Sequence, residues 1–179
     1  MKRIDRVLSA IYLEEPDTVP ITEMEIDPLI LERVTGDKYI APGDKAELSP
    51  EQVNRHNAEV KVKCYGMLDK DAIGLYEADR WVRKKFPDGS IMDEWGRIWN
   101  YEPAQKKYWL KTGTIKTPED LDKLEPPDPL APARLSLLQN VVRLTREKSP
   151  DNPMAVMGEV NAPLVVVWEA MGMDRFMYS

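Results

Sequence analysis

Prolines placed where helices begin constrain this chain most. Asp27-Pro28, Ser49-Pro50 and Thr117-Pro118 each set a side-chain acceptor directly before a proline. The acceptor can take a first-turn N–H, and proline gives up an N–H that a helix leaves unpaired at its start. Gln52, three residues after Ser49, completes a capping-box pattern. The helix from Pro50 is predicted to run to about Met67, with Val53, Val60, Cys64 and Met67 on one face. Gly36 closes the helix opened at Pro28, and Thr117 starts a short one. Residues 2–14 read as an amphipathic helix on the spacing of Ile4, Val7, Leu8, Ile11 and Tyr12, ended by Glu15-Pro16-Asp17. Another is expected from about Pro132 to Lys148, on Leu135, Leu138, Val141, Val142 and Thr145. A last one follows Asn161-Ala162-Pro163, with no C-cap glycine read near its end, so that the chain stops inside it or just after.

Three apolar runs lie between these helices: Val19–Met24, Asp71–Glu77 and Met154–Val160. Strands that alternate with helices wind into a parallel sheet, so the expected class is α/β. A complete (β/α)8 barrel of the TIM type takes about 250 residues. Residues 1–179 are therefore expected to be the N-terminal portion of a single such barrel domain, with its C-terminal half missing. Residues 81–110 read differently: Trp81, Phe86, Trp95, Trp99, Tyr101, Tyr108 and Trp109 alternate with charged residues around Pro87-Asp88-Gly89. That pattern predicts an inserted antiparallel β-hairpin region.

Composition narrows the function classes. With 25 Lys and Arg against 31 Asp and Glu, the net charge is −6. An acidic chain lacks the basic face that binding to nucleic-acid phosphates needs. The longest apolar run, Ala162 to Trp168, falls far short of the roughly 20 residues that cross a bilayer. No targeting signal is read at the start, where Asp5 and Arg6 interrupt any apolar stretch, so the expected location is the cytoplasm. A single cysteine excludes an internal disulfide or a multi-cysteine zinc site within these residues.

In a barrel, catalytic groups sit at the C-terminal ends of strands. The three strands end in Met24-Glu25, Glu77-Ala78-Asp79 and Glu159-Val160-Asn161, so carboxylates converge on one mouth. Such groups can bind a cation, move a proton or hold a polar substrate. The alternative is that they cap helices or face water. Asp79 and Glu159 are the candidate catalytic residues. Glu25, Glu77, Asn161 and Trp95 are candidate substrate-binding residues. No metal ligand is assigned: His56 has no carboxylate or cysteine at i+4 and reads as structural, and Cys64 as a buried small hydrophobe. The tryptophans either line an apolar pocket or pack the hairpins on their own aromatics.

Several stretches together resemble the uroporphyrinogen decarboxylase superfamily. The opening RIDRVLSAIYLEEPDTVPI is similar to its N-terminal helix, E-x-P-D-x-V-P turn and first strand. Asp71-Ala72-Ile73-Gly74, Asp93-Glu94-Trp95-Gly96, Pro118-Glu119-Asp120-Leu121-Asp122 with Pro127-Asp128-Pro129, and Gly158…Ala162-Pro163…Gly172 follow in order. The resemblance implies a (β/α)8 barrel roughly twice this length. It also implies one of two chemistries. Decarboxylases of porphyrin biosynthesis grip a polycarboxylate with arginines after the first strand, where bidentate forks suit carboxylates. This chain has Glu25 there, which would repel such a substrate. Asp79 lies one position from the aspartate that those enzymes use to hold pyrrole N–H groups.

The other branch, the cobamide-dependent methyltransferases, moves a methyl group to or from a corrinoid protein. Many of them bind zinc in their C-terminal half, where the metal generates a thiolate nucleophile. The leading expectation is the N-terminal portion of such a methyltransferase, inactive by itself. Its implied partners are a small-molecule substrate and a corrinoid protein, with zinc expected only beyond residue 179 and a homo-oligomer allowed. Neither nucleic acid nor membrane is expected as a partner. The alternatives are a uroporphyrinogen decarboxylase and a non-catalytic half-barrel binding protein.

Overall fold

The computed structural model describes residues 1–41, 44, 48–76, 82–129, 131 and 135–178. The chain forms two compact units. The first takes Met1–Glu77 with Pro132–Glu159, and the second takes Ala78–Ala131 with Val160–Ser179.

The first unit is built on α1 (Arg3–Ile11), β1 (Thr22–Glu23), α2 (Pro28–Thr35), α3 (Pro50–Met67), β2 (Ala72–Tyr76), and further along the chain α4 (Ser136–Lys148) and β7 (Ala155–Glu159). Its sheet has the order β1-β2-β7, with both pairings parallel. Ala72 pairs with Thr22 on one side and with Ala155 on the other, and Tyr76 with Glu159. The α/β class with a parallel sheet is therefore observed.

Helix α3 starts as the sequence predicts. The Ser49 hydroxyl accepts from the Gln52 N–H and the Gln52 side chain accepts from the Ser49 N–H. Two orphan donors of the first turn are thus satisfied. Ala58, Val62 and Tyr65 lie four and three residues apart, and Val60 and Cys64 are four apart. All five are buried with Leu31, Ile73, Leu75, Val141 and Leu144 in one core between α2, α3, α4 and the sheet. Met67 does not join that face: it is 59% exposed in the last turn, and the large buried side chain there is Tyr65.

Helix α1 is held at the N-terminal end of the sheet. Arg6 donates to Asp17 at 2.7 Å and to Asp71, the residue before β2. The other oxygen of Asp71 accepts from the Ile21 N–H at 2.8 Å. β1 is Thr22–Glu23 rather than the predicted Val19–Met24, and the Asp71 bond explains its late start. A side chain takes the Ile21 N–H, and the regular ladder begins only after it. The Arg6 guanidinium holds the Asp17 carboxyl well below the usual carboxylate range, first through their hydrogen bond.

In the second unit, β3 (Val82–Lys85), β4 (Ile91–Asp93), β5 (Ile98–Glu102) and β6 (Lys107–Thr112) form an antiparallel sheet in that order. The predicted hairpins are thus present. Ile91, Trp99 and Tyr108 form their small core, with Val82, Tyr101 and Leu110 packed on it. Trp109, by contrast, is 55% exposed. Thr117 opens a single 3-10 turn, Pro118–Asp120. Helix α5 (Pro163–Met171) then stops at Gly172, and α6 (Met173–Met177) follows. The expectation that one helix runs on without a C-cap glycine is corrected here. Gly172 has φ +84°, a conformation that residues with a side chain rarely adopt, and α5 ends there.

Candidate functional site

The carboxyl end of the parallel sheet carries the candidate groups of the first unit. Glu159 is the last residue of β7, and its side chain leans across the sheet onto Gly74 of β2. A Cβ at position 74 would lie 2.2 Å from Glu159 Oε1, 2.5 Å from the Met24 carbonyl oxygen and 2.8 Å from that of Glu23. Only glycine leaves room for this crossing. Glu159 Oε1 is buried and has no hydrogen-bond partner among the described residues.

A buried, unpartnered carboxylate is costly, and a neutral carboxylic acid is less so. Burial accordingly pushes the Glu159 carboxyl up from its ordinary value, the Glu25 charge pushes the same way, and Lys61 opposes them. Glu25 itself is exposed, two residues beyond β1. Beneath them, the Tyr65 hydroxyl donates to the Glu23 carbonyl at 3.1 Å. Burial, with neighbouring Cys64, Glu159, Glu23 and Glu25, raises its pKa, so it stays a neutral donor. This arrangement makes the Glu159 carboxyl easier to protonate than an ordinary one, beside the exposed Glu25 side chain.

The structure thus brings Glu25 and Glu159 into electrostatic reach of each other. Glu77 and Asp79 lie outside the described residues. Asn161 and Trp95 belong to the second unit. Asn161 is partly buried just before α5. The Trp95 N–H donates to Asp93 at 2.9 Å, and its carbonyl accepts from Thr114 at 2.6 Å. Sequence reading passed over Gly74 as a site residue and missed Tyr65. A glycine inside a strand was the available signal for the first. The 58–62–65 spacing was the signal for the second.

The second unit has a buried polar knot that sequence reading also missed. Asp93 is fully buried and accepts from the N–H groups of Trp95 and Arg97, from Arg97 Nε at 2.6 Å and from Trp99 Nε1 at 2.8 Å. Arg97 reaches on to Glu169 of α5 at 2.5 Å and lies over the Trp99 ring. The Asp-Glu-Trp-Gly stretch is therefore a turn locked by its own aspartate.

His56 donates a ring N–H to the Lys38 carbonyl at 2.6 Å. Cys64 is buried, and burial raises its thiol pKa. Among the described residues no three His, Cys, Asp or Glu side chains come together as metal ligands would. No helix among the described residues is long and apolar enough to cross a membrane. No protein-family model, curated protein or solved structure matches the chain.

Proposed function

We propose that this chain is the N-terminal portion of a (β/α)8 enzyme of the uroporphyrinogen decarboxylase superfamily, working as a methyltransferase that moves a methyl group to or from a corrinoid protein. The barrel is supported by the parallel β1-β2-β7 sheet, whose two outer strands each keep one edge without a strand partner among the described residues. A barrel closes such edges. Helix α1 at the opposite end of the strands leaves the carboxyl ends as the mouth, which is where barrel enzymes work.

The observation that carries the chemistry is the Glu159 carboxyl, one of whose oxygens is buried and unpartnered and whose proton affinity is raised. The corrinoid, when bound, supplies the centre that accepts or gives the methyl group. Glu159 supplies a proton. When a methyl group leaves an oxygen or nitrogen donor, the bonding pair stays on that heteroatom, and Glu159 protonates it as the bond breaks. Exposed Glu25 beside it selects against substrates bearing several carboxylates, which disfavours the decarboxylase alternative.

The test uses the full-length gene product with cob(I)alamin and a methyl ether or methanol, reading methylcobalamin by absorbance. Turnover is expected, and Glu159→Gln should lower it by about 10²- to 10⁴-fold, the usual contribution of a general acid. Stepwise anaerobic conversion of uroporphyrinogen to coproporphyrinogen, without methyl transfer, would overturn the reading.

A further inference from the structure

We propose that the second unit carries a small-molecule site of its own, a preformed apolar pocket that takes one uncharged molecule with an aromatic or alicyclic body.

The pocket encloses about 560 Å³ between α5, the 3-10 turn and the tip of the β4–β5 hairpin. That volume is in the range of small-molecule sites. Leu121, Leu124, Val166, Val167 and Met171 form its walls, with Trp95 at the hairpin side.

Hydrogen bonds join these walls to one another. The Trp95 carbonyl accepts from the Thr114 hydroxyl at 2.6 Å. The next residue, Ile115, donates its N–H to the Ala170 carbonyl of α5 at 2.8 Å. Arg97 of the hairpin reaches Glu169 of α5 at 2.5 Å. The Arg175 guanidinium of α6 donates to the Lys116 carbonyl. A Cβ at Gly113 would lie 2.2 Å from the Ala170 carbonyl oxygen, so the loop after β6 sits directly on the end of α5. Hairpin, loop and helices are thus fixed to each other before any ligand arrives. A pocket held in this way spares its ligand the cost of ordering the walls.

The same bonds decide what charge the ligand can carry. An anion would meet Arg97 already shared between Asp93 and Glu169, and Arg175 already engaged. Exposed Lys116 brings no uncompensated charge, because the Asp120 carboxylate sits on its N–H at 2.9 Å. A cation would meet no carboxylate among the described lining residues. A charge of either sign would therefore leave water without gaining an unspent partner, which is unfavourable. Apolar burial is what remains to drive binding, and the flat Trp95 ring suits a ring-shaped body.

The probe is N-phenyl-1-naphthylamine, titrated into the full-length gene product and followed by its emission. The comparison is 1-anilinonaphthalene-8-sulfonate, the same body with one charge added. Saturable one-to-one binding of the neutral probe is expected, with the sulfonate about tenfold weaker or worse. Val166→Phe, which fills the pocket, should weaken the neutral probe by about tenfold or more while near-ultraviolet circular dichroism stays native. Leu121→Ser, at an exposed position where the fold tolerates change, should weaken it severalfold by removing part of the apolar wall. Sulfonate affinity equal to or above that of the neutral probe would overturn the proposal. So would no binding of the neutral probe, the result expected where another part of the protein or a second copy already fills the pocket. Binding of many molecules without saturation would also overturn it, as would undiminished binding in Leu121→Ser and in a native Val166→Phe protein.

Discussion

Replacing Gly74 with alanine should be one of the costliest single-methyl additions this chain can receive. The new Cβ would sit 2.2 Å from Glu159 Oε1, 2.5 Å from the Met24 carbonyl oxygen and 2.8 Å from the Glu23 carbonyl oxygen, where ordinary contact begins at 3.4 Å. Glu159 can swing away, since its carboxyl is the end of a flexible side chain. The two carbonyls cannot move alone, because they are β1 and its continuation. Met24 must retreat by about 0.9 Å, which strains the β1–β2 pairing at Glu23 and Ile73. Overpacking of this kind costs about 1–3 kcal/mol. For a chain of this size each kcal/mol lowers the melting temperature by about 2–4 °C.

The matched control is Gly158→Ala on β7, where a Cβ meets nothing within 4 Å. There the loss of unfolded-state freedom should stabilise the protein by about 0.4–1 kcal/mol. Urea unfolding of both variants and the wild type, at one pH, reads the difference. Equal midpoints for the two variants, or a Gly74→Ala protein as stable as the wild type, would refute the claim that the sheet closes over Gly74.

Three further outcomes are expected. Asp93→Ala should cost the second unit about 3–5 kcal/mol, because it leaves the buried Arg97 with only Glu169, and the near-ultraviolet signal of Trp99 should collapse in the same transition. Gly66→Ala, in the last turn of α3 with open space around the new methyl, should raise stability by about 0.5–1 kcal/mol in a thermal melt. For Glu159→Gln the sign follows from the raised folded-state pKa: above the ordinary carboxyl range the folded state binds more protons than the unfolded one, so wild-type stability falls as pH rises. The variant lacks that loss. Its stability relative to wild type should therefore climb from pH 4 towards neutrality, and a flat difference curve would count against a buried, proton-holding Glu159.

The helix starts were legible because capping is local. Ser49, Pro50 and Gln52 lie within four residues, and the two bonds they predict are both made. Strands β2 and β7 were legible because parallel strands covered by helices read as short apolar runs, and Ala72, Ile73 and Leu75 of β2 are buried. What escaped was non-local. The late start of the β1 ladder depends on Asp71, fifty residues beyond Ile21. The Asp93–Arg97–Glu169 knot joins residues 72 apart. No window of sequence shows either pairing.

The same distinction decides which acids can act. Asp17, Asp71 and Asp93 each meet an arginine, and they serve as fasteners, the first two at the N-terminal end of the parallel sheet and the third in the hairpin turn. Glu159, at the carboxyl end of the sheet, meets a glycine, and one of its oxygens has no partner among the described residues. In composition all four are simply acidic residues at the ends of strands or turns. A carboxylate fastened to a guanidinium has its oxygens occupied, whereas the Glu159 carboxyl, with one oxygen buried and unpartnered, has its affinity for a proton raised. The candidate site is thus marked less by its carboxylates than by Gly74, the residue whose missing side chain lets one of them go unpaired.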